Sequence, residues 1–176
     1  MAIGRLELIS FTTSGTSITS FAVDNVFSSD YTNYVVTVGV PQGSATNTGN
    51  NLTFLDSTGT EITSTNYENI YEQFNVNAAG TISSSTTNTQ ISGLGQTSNI
   101  GGNYNNVVLN IFNPNKASYT FVTAQASSLD SIPNFEPYQT FGVLKTSDQC
   151  RGLSWNVNNA ARPFSNVQIA VYGVAI

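Results

Sequence analysis

Histidine is absent from the 176 residues, cysteine and methionine occur once each, and Lys plus Arg number only 5 against 10 Asp plus Glu. Each scarcity excludes a chemistry. Without His there is no His-dependent triad, no imidazole base at neutral pH and no His-ligated metal. One Cys allows neither an internal disulfide nor a cysteine zinc cluster. A formal net charge of −5 lacks the concentrated cationic surface that nucleic acid demands. Charged residues fill 9% of the chain, against about 25% in ordinary globular proteins. No apolar run approaches the roughly 20 residues of a spanning helix, and residues 1–20 hold no apolar stretch of a secretory signal. The sequence thus predicts no nucleic-acid partner, no membrane insertion, no cofactor, and folding in a cytosol. Cys150, although next to Arg151, reads as a small core thiol rather than a reactive one.

What stands in place of charge is neutral polarity: Ser, Thr, Asn and Gln fill 73 positions. Disorder is excluded by the apolar content. Val, Ile, Leu and Phe occupy 46 positions, above the roughly one-fifth below which chains stay unfolded, and the low net charge gives little self-repulsion. At this length a core burying about 70% of the unfolded chain's surface is feasible.

Period-two patterning is widespread. Tyr34, Val36, Val38 and Val40 share one face of a strand; Val107, Leu109 and Ile111 share another; Val167, Ile169 and Val171 alternate with Gln168, Ala170 and Tyr172. Asn113-Pro114-Asn115 between two such runs predicts a hairpin over residues 107–124. The predicted strands are 4–11, 17–23, 33–40, 51–56, 67–76, 89–94, 107–112, 118–124, 139–145, 151–157 and 166–174. With no helical periodicity between them, they predict one all-β domain over residues 1–176, an antiparallel sandwich or barrel. Residues 81–106 hold no charge and few apolar groups, and read either as a polar loop excursion with one strand or as an outer strand packed on another subunit.

The ten carboxylates offer little for catalysis. Glu68 and Glu72 share a strand face, but four residues at about 3.3 Å each hold them roughly 13 Å apart, too far for a shared glycosidase site. Asp24, Asn25 and Asp30 are the only close oxygen set and read as turn formers rather than a calcium loop. The glycines near 93–95 and 101–102 have no strand–helix context for a phosphate cradle. Aromatics flanked by amides are the remaining candidates: Tyr67, Tyr71, Tyr104 and Trp155, with Asn156, Asn158 and Asn159 after the Trp. Apolar faces beside neutral hydrogen-bonding groups suit sugars. Trp155 also reads as a core or subunit-interface aromatic.

Three stretches resemble a known family. Asp24-Asn-Val-Phe-Ser-Ser-Asp-Tyr-Thr-Asn-Tyr-Val-Val-Thr-Val38 is similar to an early segment of small tailed-bacteriophage virion structural proteins. Val108-Leu-Asn-Ile-Phe-Asn-Pro-Asn-Lys-Ala-Ser-Tyr-Thr-Phe121 resembles the Ile-Phe-Asn-Pro hairpin of their tail-fibre and appendage heads, and Phe164–Ala175 their closing strand with Tyr-Gly. The matches stand in the family's order and span residues 24–175. The resemblance implies a jelly-roll-like β-sandwich of about ten or eleven short strands, a homotrimer on a virion assembled in the host bacterial cytoplasm, with other phage virion proteins as partners. It carries no catalytic residues, so no enzyme is expected. Fibre heads of this family follow a long shaft, whereas the head here is expected to begin within a few residues of Met1, with residues 1–11 as an N-terminal strand available for docking ahead of the core motif. The expectation is therefore a tail-fibre or appendage unit, or alternatively a capsid decoration protein on the head lattice. A carbohydrate-binding or depolymerase module is the third alternative. For contact with a host-surface glycan the sequence points to Tyr104 and Trp155, with Asn103, Asn105 and Asn156 as amide partners.

Overall fold

A computed structural model describes residues 5–40, 42–43, 48–76, 78–97, 105–129 and 135–175. The strands are β1 (Arg5–Thr13), β2 (Ser20–Val23), β3 (Asn33–Val40), β4 (Gln42–Gly43), β5 (Thr48–Leu55), β6 (Tyr67–Asn75) and β7 (Ala78–Asn88). They continue as β8 (Gln96–Thr97), β9 (Asn105–Phe112), β10 (Thr120–Leu129), β11 (Phe135–Leu144), β12 (Gly152–Val157), β13 (Phe164–Ser165) and β14 (Gln168–Ala175). Among the described residues there is no helix.

Every pairing is antiparallel. A large sheet runs β1-β14-β3-β9-β10-β11-β6-β7, a smaller one β2-β12-β5-β8, and β13-β4 form a two-stranded ribbon. The wiring is that of a jelly roll. The chain passes between sheets from β1 to β2 to β3 to β5, and again from β8 to β9 to β12 to β14, so β1-β14-β3-β9 face β2-β12-β5-β8. Two hairpins are added to this frame. β10–β11 leaves after β9, β6–β7 leaves after β5, and together they widen the large sheet from four strands to eight.

The alternation expected from sequence is what fills the space between the sheets. Tyr34, Val36, Val38 and Val40 of β3, Val107, Leu109 and Ile111 of β9, and Ile169 and Val171 of β14 are buried. They meet Leu52, Phe54, Leu153 and Trp155 of the smaller sheet in one cluster. Burying a side chain of this kind stabilises the fold by about 1.5–3 kcal/mol. Tyr34 also closes the turn before its own strand. Its hydroxyl accepts from Ser28 N at 2.8 Å and donates to Ser28 O at 2.9 Å, while its ring meets Phe27 edge-on at 4.8 Å. The Phe-Ser-Ser…Tyr spacing thus has a mechanical cause. Asn113, with φ of 60°, turns the β9–β10 hairpin as its sequence context predicts.

The strand count exceeds the ten or eleven expected. β4, β8 and β13 are two-residue pairings too short for a periodic signal. The polar stretch from 81 divides differently from the sequence reading. Residues 81–88 belong to β7, the outermost strand of the large sheet, and the strand expected at 89–94 is only an isolated bridge between Leu52 and Ile91 before β8. Its apolar residues explain why it folds back. Ile91 and Leu94 are wholly buried under the widened sheet, and a Cβ built on Gly142 would lie 2.9 Å from Ile91 Cδ1, so only glycine leaves room there.

Candidate functional site

The residues singled out for glycan contact do not converge. Asn103 and Tyr104 lie outside the described residues. Trp155 is wholly buried, its ring turned into the core from β12 between Phe21 of β2 and Leu52 of β5, so it presents no face to an external ligand. Of the two sequence readings of Trp155, glycan contact and core or interface aromatic, the structure shows the core. Asn156, its neighbour, faces the other way and donates to Thr53 Oγ1 at 3.0 Å on the outer surface of the smaller sheet. Asn105 is buried at the start of β9 and donates to Leu94 O at 3.0 Å, holding down the polar crossing segment. Cys150 is buried as expected, and that burial pushes its thiol up to about 12. Glu68 and Glu72 stand on one face of β6, as alternation predicts, with Ile70 between them and Glu68 paired to Lys145.

The outstanding feature is the outward face of the large sheet. Registers link it strand by strand. One unbroken row crosses all eight strands as Phe11, Ala170, Thr37, Val108, Gln125, Gln139, Glu72 and Ile82. The next row reads Leu8, Tyr172, Val35, Asn110, Thr123, Phe141, Ile70 and Ser84, with no charge at all. A third carries Phe112, Phe121, Val143 and Glu68 across β9, β10, β11 and β6. Apart from Glu68 and Glu72, the positions in these rows that should be polar in a solvated antiparallel sheet are here apolar or uncharged. Leu6, Leu8, Phe11, Ile70, Ile82, Val108, Phe121, Phe135 and Phe141 all lie on this face, 46% to 67% exposed. At roughly 200 Å² of full surface each and about half of it exposed, the nine offer on the order of 900 Å², close to the about 800 Å² that one partner contributes to a standard interface.

The face has relief. Phe141 stands between three grooves of about 370, 250 and 110 Å³, the largest floored by Ile70, Phe121 and Val143. Both borders carry the guards usual for edge strands, which are Lys, Pro or a bulge. β7 is an edge strand of 11 residues, AAGTISSSTTN, with no charge and no proline, but its register against β6 shifts between Tyr67 and Asn69 and again between Gln73 and Asn75. β1 at the opposite edge has a bulge between Leu8 and Ser10 and the Arg5–Glu7 pair.

Ion pairs neutralise charges around this surface, while Glu72 remains on it. Arg5 and then Tyr31 hydrogen-bond Glu7 on the inner side of β1 and hold its carboxyl below the usual range. Arg151 does the same for Asp24 at the far side of the sandwich, and Lys145 meets Glu68 at the margin of the face. Among the described residues no group of three His, Cys, Asp or Glu side chains could hold a metal ion.

The exposed face, unlike the turns and strands, could have been found by asking whether both faces of a strand are apolar. Val35 opposite Val36, and Val108 opposite Val107, carry that signal. No protein-family model matches the chain, and no curated protein matches it.

Proposed function

We propose that this protein is a non-enzymatic structural subunit of a tailed-bacteriophage virion, assembled as a homotrimer in a tail-fibre or appendage unit. The observation that carries the reading is the largely apolar, corrugated outward face of the eight-stranded sheet, on which Glu68 and Glu72 are the charges its rows include. Soluble monomers rarely expose apolar patches beyond a few hundred Å², and larger ones mark interaction sites. A face depleted in charge loses little desolvation energy on burial, and charge depletion is what distinguishes interface cores. Its first partners are further copies of the chain, closed by rotation into a ring of three; other virion proteins and the host surface are met by the remaining sides.

Two further points support the virion. Jelly rolls recur in viral capsid and lectin domains. The three stretches that resemble phage appendage heads lie side by side, on β3, on the β9–β10 hairpin and on β14, which are neighbours in the order β14-β3-β9-β10. Imaging of purified phage particles labelled with an antibody to this chain tests the proposal. Label at the tail is expected; label over the head faces would replace the appendage with capsid decoration, and particles lacking the chain by mass spectrometry would overturn the virion reading.

A further inference from the structure

The inner side of the widened sheet carries a separate feature. Tyr71 and Gln73 of β6 and Tyr138 of β11 alternate with Ile70, Glu72 and Gln139 of the outward face, so they point away from it. The crossing segment 90–96 and the first residues of β5 enclose them in a cavity of about 280 Å³, near the lower end for ligand cavities, which run from about 300 Å³ upward. Among the described residues no charged side chain lines it.

Its walls hold polar atoms with nothing to bond. Asn50 is wholly buried; its Nδ2 donates to Gly95 O at 3.4 Å, and its Oδ1 has no partner. Asn51 Nδ2 is also unpartnered, but alternation turns that side chain to the other face of β5, with Thr53 and Asn156. Gln96 donates through Nε2 to the Tyr138 hydroxyl at 2.8 Å and leaves its buried Oε1 unmet. Buried polar atoms are nearly always hydrogen-bonded, so the two unmet oxygens of Asn50 and Gln96 on one small cavity call for a ligand. The cavity is also preformed. Gly93, at φ +79°, lies against the Tyr71 ring so closely that a Cβ there would fall 2.2 Å from Cγ. That packing fixes the ring, which stands 6.3 Å from Tyr138.

Two unmet acceptors and two phenol rings define the guest. It must donate through neighbouring groups, present some apolar surface and carry no charge, since no charged side chain among the described residues lines the cavity and the Glu136 carboxylate stands behind the Tyr138 hydroxyl, which donates to it at 3.4 Å. Vicinal hydroxyls on a ring meet all three demands. We propose that this cavity binds one neutral sugar ring, free or as the end of a glycan. The site lies on the opposite side of the sheet from the assembly face and stands independently of the virion proposal.

Ligand-observed NMR and calorimetry on the full chain test it, with a panel of neutral hexoses, 6-deoxyhexoses and N-acetylhexosamines, and with sialic acid and glucose 6-phosphate as charged controls. At least one neutral sugar is expected to bind, and an oligosaccharide ending in it to bind more tightly if a glycan is the source. Asn50→Ala and Gln96→Met should each weaken binding at least about tenfold, the loss of one buried hydrogen bond. Should either fail to fold, Asn158→Ala at the exposed rim is expected to weaken binding while melting like the parent. No binding by any neutral sugar at tens of millimolar, preference for the charged controls, or affinity unchanged in the folded variants would each overturn the proposal.

Discussion

Asp24 and Arg151, 127 positions apart in the chain, meet in a two-pronged ion pair, Nε on Oδ1 and Nη2 on Oδ2, each at 2.6 Å. The pair clasps the exit of β2 to the entry of β12, where Arg151 O also accepts from Val26 N and Phe27 N. The Arg151 hydrogen bonds hold the Asp24 carboxyl below its ordinary 3.8. A carboxyl with a depressed folded-state pKa contributes its full stability above the ordinary value, and loses it as pH falls through the folded one. Both side chains are partly solvated, so Arg151→Met is expected to lower stability at pH 7 by about 1 kcal/mol or less. Thermal melts of parent and variant should converge as pH drops below about 4. A gap that persists at acid pH would assign the effect to packing of the Arg151 stem.

Gly93 is fixed by two independent constraints, its positive φ and the Tyr71 ring against it. Alanine relieves neither. Gly93→Ala is expected to destabilise the protein by about 2 kcal/mol or more, from strained backbone and the displaced ring together. Urea titration measures the loss; a change under about 0.5 kcal/mol, the range of an unconstrained surface position, would contradict the packing described.

Cys150 is wholly buried, and burial raises its thiol to about 12. The reactive thiolate is therefore scarce at pH 8 in the folded protein. A thiol reagent at that pH should leave the mass unchanged for as long as the fold persists and add one label in denaturant. Rapid labelling of the folded chain would show Cys150 to be accessible.

The legible part of this fold was the part in which one strand face is apolar and the other polar. Tyr34–Val40 and Val107–Ile111 declared their strands, and Asn113-Pro114 declared a turn. Residues 78–88 did not, because an outer strand of Ser and Thr has no apolar alternation, and its membership of the sheet is settled by pairing with β6. The amide-lined cavity was only half visible. Tyr71 and Asn158 satisfied the aromatic-plus-amide pattern, but Asn50 and Gln96 join them solely through the return of the chain at 90–96. Trp155 satisfied the same pattern and is core, since composition cannot tell which side of a strand a ring occupies. The apolar outward face was legible residue by residue, yet its extent depends on the two hairpins that double the width of the sheet.

The account rests on self-association through that face, and sedimentation equilibrium of the purified chain tests it most directly. The predicted mass is three times the 18.8 kDa of one chain. Phe141→Glu, which sets a charge among the grooves of the face, should give a folded monomer, since Phe141 is 48% exposed and takes no part in the core. A parent that sediments at 18.8 kDa at micromolar concentration, or a Phe141→Glu variant that still assembles, would contradict the account.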